Sequence, residues 1–189
     1  MRHSWMAVCG VALTALASSG ARAQQVPDRA AAAEVRKQFL LDVDTLYAKF
    51  TALANALPAD KYAWRPAPGV RSVGEVFMHV ASEFYVWVPL TYGAKPSPAT
   101  GGQDDAAMKK FESMSTKADV QKHLKAGFAY TTATLMALDP AALAGPKQLF
   151  GGSHTIIETS FGMSGDLHEH LGQLIAYARM NGITPPWSK

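Results

Sequence analysis

The strongest constraint on this chain is a helical rhythm of apolar residues that recurs four times, each time broken by proline or glycine. From Arg29 to Leu57 the apolar positions are Val35, Phe39, Leu40, Val43, Leu46, Tyr47, Phe50, Leu53 and Leu57, a spacing that lines one helix face. Pro58 ends the segment because it lacks an N–H and clashes with the preceding turn. Residues 59–71, with Pro66, Pro68 and Gly69, read as a loop. Ser72-Val73-Gly74-Glu75 is a capping box, and a second helix follows it to about Tyr92 with Val73, Val76, Phe77, Val80, Phe84 and Trp87 on its apolar face.

Residues 93–102 form a connection, with a short helix expected after Asp104. Ser115 or Thr116 caps a third long helix that reaches Leu138, where Asp139-Pro140 stops it. Residues 141–153 read as an irregular link. A second capping box, Thr155-Ile156-Ile157-Glu158, then opens a fourth long helix that runs to Asn181, with Gly182 and Pro185-Pro186 as stop signals. No segment shows sustained strand alternation with hairpin signals. Four amphipathic helices, each too polar on one face to be buried alone, predict an all-α fold, a four-helix bundle.

The N-terminus carries a different signal. Arg2 and His3 precede an apolar, uncharged run from Trp5 to Ala17, and Ala21-Arg22-Ala23 has the small-x-small form read by signal peptidase. The run is shorter than the roughly 20 apolar residues that a membrane span requires. The expectation is a signal peptide over 1–23, cleavage before Gln24, a single domain over 24–189, and a periplasmic or secreted location. The sole cysteine, Cys9, leaves with the signal, which excludes thiol chemistry by the mature chain. The formal charge of +3 also shrinks, because Arg2 and Arg22 are removed. No basic helix is left to suggest nucleic acid, and no anchor is left to hold the mature chain to a membrane.

The remaining chemistry lies in histidines. His79 sits within Glu75-x-x-x-His79-x-x-x-Glu83, three groups on one helix face beside the apolar ridge Val76-Val80-Phe84. In the fourth helix, Asp166, His170, Gln173 and Tyr177 form a polar stripe beside the ridge Leu167-Leu171-Leu174-Ala178. Two ligands one turn apart on one helix and a third from a facing helix can hold a divalent metal in a bundle core. His79, Asp166 and His170 are therefore the candidate ligands, for Zn, Ni, Mn or Fe. Glu83 is the candidate proton acceptor or a fourth ligand. Gln173 or Tyr177 would orient a substrate. The alternative for the same stripes is a buried hydrogen-bond network that fixes helix register without metal. His123, between Lys122 and Lys125, reads as solvated, His154 as part of a helix entry, and Trp64 and Trp187 as exposed aromatics.

Two motifs carry a family resemblance. The first is Trp64-Arg65-Pro66-x-Pro68-Gly69-x-Arg71-Ser72-Val73-Gly74-Glu75 with His79 following. The second is His168-Glu169-His170-Leu171-Gly172-Gln173-Leu174 leading to Tyr177-x-Arg179-x-Asn181-Gly182-x-x-Pro185-Pro186. In these the chain resembles the DinB-like (damage-inducible, DUF664-type) four-helix bundles, over Arg29 to Trp187. The resemblance implies a metal triad of one His in the second helix and a His-x-x-x-His pair in the last. His79 matches the first position and His170 the end of the pair, while position 166 is Asp rather than His. It also implies activities ranging from thiol-linked transfer or isomerisation to hydrolysis. Two classes of function stay open: an exported metalloenzyme acting on a small molecule, with hydrolysis its more natural form outside the cytoplasm, and a non-catalytic bundle that binds a ligand, metal or partner. A homodimer through a helix face fits either, since symmetric dimers are the commonest oligomers.

Overall fold

The structure is a computed structural model that describes residues 28–102, 104–143, 145–149 and 151–188. The signal-peptide expectation falls on 1–23, outside the described residues. The elements are α1 (Arg29–Ala56), α2 (Val73–Tyr92), α3 (Asp105–Ser113), α4 (Lys117–Ala137), α5 (Pro140–Leu143), β1 (Lys147–Leu149), β2 (Gly152–His154) and α6 (Ile156–Met180). The four long helices α1, α2, α4 and α6 form the bundle. Around it α1 packs on α4 and α6, and α2 packs on the same two from the opposite corner. Helix α3 lies against the outside of α2. Among the described residues no helix is long and apolar enough to cross a membrane.

Each boundary has a local chemical cause. Asp28 caps α1 by accepting from the Ala31 N–H, and the helix stops ahead of Pro58, whose ring cannot continue it. At α2 both halves of the capping box form. The Glu75 N–H donates to Ser72 Oγ, and the Ser72 N–H donates to the Glu75 carboxylate. Gly93, at φ +68, closes that helix in the left-handed region. Of the two candidate caps for α4, Thr116 accepts from the Asp119 N–H. The Thr155–Glu158 box opens α6.

The expected ridges are the core. Phe39, Val43, Leu46, Phe50 and Leu53 of α1 are buried, as are Val76, Phe77, Val80 and Phe84 of α2 and Leu167, Leu171 and Leu174 of α6. Aromatic rings tie the layers together, with Phe84 and Phe128 4.3 Å apart and Phe50 within 6.4 Å of both Phe77 and Phe128. Each ring of this size removes on the order of 150–250 Å² from water, so these rings are a large part of the apolar burial.

The link 141–153 differs from expectation. It contains the single turn α5 and an antiparallel hairpin in which Lys147 pairs with His154 and Leu149 with Gly152. Strands of three residues are too short to show an alternation that sequence reading could detect. The turn itself depends on Gly151 at φ +77, a conformation that side chains rarely adopt.

Gly74 is required for a different reason. A Cβ there would lie 2.2 Å from the Ser115 carbonyl oxygen, so the absence of a side chain lets the end of the α3 segment dock on the first turn of α2. Gly74→Ala should therefore lower stability by about 1–3 kcal/mol, the usual range for overpacking. Gly162→Ala, on an open face of α6 with nothing within 4 Å, should raise stability by about 0.5–1 kcal/mol. Thermal unfolding of both variants checks the contrast, and a Gly74→Ala protein as stable as the parent would refute the close approach.

Candidate metal centre

Helices α2 and α6 face each other, and their two polar stripes meet. His79 and Glu83 come from α2, one turn apart, and Asp166 and His170 come from α6, also one turn apart. His79 Nε2 lies 3.0 Å from Glu83 Oε1, and His170 Nε2 lies 3.5 Å from the same oxygen. The two rings stand at 89° with centroids 4.8 Å apart. Asp166 Oδ2 is 3.8 Å from His170 Nε2 and sits further out, with its side chain 38% exposed against 9% for Glu83. The structure thus brings His79, Glu83 and His170 to within ligand distance of one another and leaves Asp166 at the outer edge, so Glu83 stands in the group where the sequence reading had Asp166 as the third ligand.

Both imidazoles are held from behind. His79 Nδ1 is 2.7 Å from Glu112 Oε1 on α3, and Arg71 Nε donates to the other oxygen of that carboxylate at 3.1 Å. His170 Nδ1 is 3.3 Å from Gln173 Oε1, and Gln173 Nε2 donates to the Tyr177 hydroxyl at 2.9 Å. Tyr177 is in turn packed edge-on against Trp64, with centroids 5.5 Å apart. Glu112 is the residue that sequence reading missed. It lies 33 positions from His79, and the only local hint is its place next to Phe111, the buried anchor of α3.

The charges are strongly coupled. Burial disfavours protonation of His79, but hydrogen bonds to Glu112 and Glu83 outweigh it and raise its pKa to about 9. Burial likewise opposes ionisation of Glu83, yet hydrogen bonds to His170, His79 and Asp166 hold its pKa down at about 2. Asp166 is pushed up to about 6 by burial and by the Glu83 carboxylate beside it. The hydrogen bond to Glu83 raises His170 against the effect of burial. Glu112 is lowered by His79 and Arg71, which overcome its own desolvation.

This donor set suits a divalent cation. His79, Glu83 and His170 each offer one ligand atom within 4.8 Å of the others. Ligands bonded to one ion at about 2.0–2.2 Å are separated from each other by about 3–3.5 Å, and the separations of 3.0 and 3.5 Å at Glu83 Oε1 match that range. Glu83 Oε2 is buried without a partner among the described residues, which leaves acceptor capacity inside the cluster.

The readings of His123, Trp64 and Trp187 are corrected. His123 is 7% exposed rather than solvated. Its ring packs edge-on against Phe111 at 4.7 Å and Tyr85 at 6.3 Å, because α3 and α2 cover the face of α4 that its lysine neighbours avoid. Burial and the Lys122 charge lower its pKa. Trp64 and Trp187 are partly buried against the core rather than exposed. His168 points away from the centre, with Nε2 3.0 Å from Asp42 Oδ1 on α1. Glu75 is taken up by the α2 cap and by Arg65.

A helical bundle that turns two imidazoles and two carboxylates toward one point from facing helices has a donor set for a divalent metal in its core. The family follows from comparison: residues 42–174 match the model of the DinB superfamily, and the chain belongs to that superfamily. Among solved structures it is similar to a DinB-like protein, YjoA, from Bacillus subtilis. The TM-score is 0.61 at 20% identity, over 78% of this chain and 94% of that one. That likeness establishes the shared fold. No curated protein matches the chain.

Proposed function

We propose that this protein is an exported, metal-dependent hydrolase of small molecules. The observation that carries the reading is the convergence of His79 Nε2 and His170 Nε2 on Glu83 Oε1, at 3.0 and 3.5 Å. In this reading His79, Glu83 and His170 hold the ion, and Asp166 is the fourth, outermost donor. Two imidazoles with carboxylate suit Zn, Mn, Fe or Ni. When bound, such an ion supplies Lewis acidity that brings the deprotonation of water toward neutral pH.

The chain's own groups do the rest. Glu83 and Asp166 balance the cationic charge in a poorly hydrated site, where charge is costly unless paired. Glu83 Oε2, buried with no partner among the described residues, is the acceptor for a proton released in the reaction. The exposed side, where Asp166 lies, is the side from which a substrate approaches. Export is supported by the basic start, apolar run and Ala21-Arg22-Ala23 triplet. It also favours hydrolysis over transfer to a low-molecular-weight thiol, because such thiols are chiefly cytoplasmic.

The test is metal analysis of protein purified without chelator, alongside His170→Ala and a panel of ester, amide and lactone substrates. One metal per chain is expected in the parent and none in the variant, with turnover lost in both the variant and the chelated parent. The exported chain should begin at Gln24. A parent protein that stays metal-free after incubation with zinc, and is equally stable with chelator, would overturn the reading and leave the cluster as a register-fixing network. Stoichiometric metal without turnover on any of these substrates would refute the hydrolase assignment alone.

A further inference from the structure

We infer that Glu112, contributed by the short helix α3, is a positioning residue that fixes which nitrogen of His79 faces the metal centre. The inference rests on the metal reading above and adds a residue to it. A neutral imidazole has one N–H and one lone pair, and the partner of one nitrogen decides the role of the other. Glu112 Oε1 sits 2.7 Å from His79 Nδ1. An ionised carboxylate can only accept, so the Nδ1 it faces must carry the proton. In the metal-free protein Nε2 faces a second carboxylate, Glu83 Oε1, at 3.0 Å and donates to it. The Glu112 contact holds the other proton on Nδ1, so that when a metal displaces the Nε2 proton the lone pair falls on the atom in the donor cluster.

The carboxylate is itself fixed. Arg71 Nε donates to Glu112 Oε2 at 3.1 Å, and the Glu112 side chain is only 16% exposed. The α3 backbone is anchored by the Asp104 cap at its start and by buried Phe111 next to Glu112. At its end, the Ser115 carbonyl lies against Gly74 in the first turn of α2, the helix that also carries His79. Glu112 and the imidazole are therefore set on parts of the chain that cannot easily shift relative to each other. A histidine ligand backed by a carboxylate is oriented more firmly and is more basic than one backed by water. His170 is backed instead by the neutral Gln173 amide at a longer 3.3 Å, so the two imidazoles are held unequally.

The experiment is zinc affinity by chelator competition on the parent protein, Glu112→Ala, Glu112→Gln and Arg71→Ala, with imidazole NMR of the zinc-loaded proteins. Glu112→Ala should bind zinc about 10–100-fold more weakly. It should also lose the slowly exchanging, downfield Nδ1–H signal of His79. Glu112→Gln retains an acceptor oxygen and should keep that signal with a smaller loss of affinity. Arg71 is 44% exposed, and Arg71→Ala should cost no more than about five-fold, as for an exposed ion pair. A Glu112→Ala protein with parental affinity and an unchanged His79 signal would overturn the inference. So would an affinity loss in Glu112→Ala with the signal retained, because that pattern belongs to a general loss of packing. Failure of the parent to bind zinc would instead refute the metal reading, which keeps the two outcomes distinct.

Discussion

Glu83→Ala should both abolish metal binding and unfold the protein well below the parental melting temperature. Glu83 Oε1 contacts both imidazoles, at 3.0 and 3.5 Å, and its side chain is 9% exposed. Removing Glu83 leaves two edge-on rings, centroids 4.8 Å apart, without the carboxylate that bridges their Nε2 atoms. The His79 pKa is raised to about 9 by its carboxylate partners, so in the metal-free parent at neutral pH this ring carries positive charge that Glu83 offsets, and the Glu83 hydrogen bond shifts His170 in the same direction. Stripping one partner from a buried charged cluster typically costs about 3–5 kcal/mol, because the charge left behind has lost its compensation. At about 2–4 °C per kcal/mol for a domain of this size, the melting temperature should fall by roughly 10 °C. Glu83→Gln preserves the volume and one acceptor, and should recover much of the stability without recovering the metal. Scanning calorimetry with and without chelator separates the two effects. A Glu83→Ala protein that still binds stoichiometric metal would exclude Glu83 as a ligand and leave the set as His79, Asp166 and His170.

A second large effect should appear with pH, with opposite signs in the metal-free and metal-loaded protein. In the metal-free protein the His79 pKa is raised from 6.5 to about 9. Its protonated form is favoured by folding, so this stabilisation is complete below pH 6.5 and is lost as pH rises through about 9. At 1.36 kcal/mol per pKa unit the loss is roughly 3 kcal/mol. Glu83 acts at the acid end. Its pKa is depressed from 4.5 to about 2, so its contribution is present above pH 4.5 and disappears as pH falls through about 2. Asp166, pushed up from 3.8 to about 6, loses its own contribution as pH rises through about 6. The metal-free protein should therefore be most stable at about pH 4–5 and should decline in two stages, through about 6 and then through about 9. A metal ligand must be deprotonated, so protons compete with the ion at His79 and affinity rises over the same alkaline range. Melting curves at pH 5 to 9 should show the metal-free curve falling in these two stages and its gap to the zinc-loaded curve widening above pH 6.5. Parallel curves would show that His79 does not bind the ion.

Much of the fold is legible in the sequence because its boundaries are set locally. Pro58, the Ser72–Glu75 box and the Thr155–Glu158 box act within one helical turn, and the helices they delimit match expectation to within a residue or two. The facing stripes of α2 and α6 are readable for the same reason, since i, i+4 spacing fixes which side chains share a face. Long-range decisions are not readable in this way. Glu112 lies on a nine-residue helix, and its link to His79 exists only because α3 folds back on α2. The burial of His123 has the same origin. Its lysine neighbours describe the exposed side of α4, but Phe111 and Tyr85 reach it from two other helices. The hairpin after α5 escaped because three-residue strands carry no pattern. Glu83 lies between cases: the sequence placed it at the site, and its position between two imidazoles became apparent only in three dimensions.

The docking of Ser115 on Gly74 also sets where the chain tolerates being lengthened. It ties the end of the α3 segment to the start of α2, so the C-terminal end of residues 105–115 is held on the bundle. Just before α3, Gly101 and Asp104 are exposed. Each doubling of a flexible loop adds only about 0.6 kcal/mol of closure cost. A reporter peptide or affinity handle inserted between Gly101 and Asp104 would therefore lengthen the connection without moving Glu112, whereas the same insertion after Ser113 would separate Glu112 from the contact that aligns it. The α2–α4 connection thus has one end open to engineering and one end reserved for the metal centre.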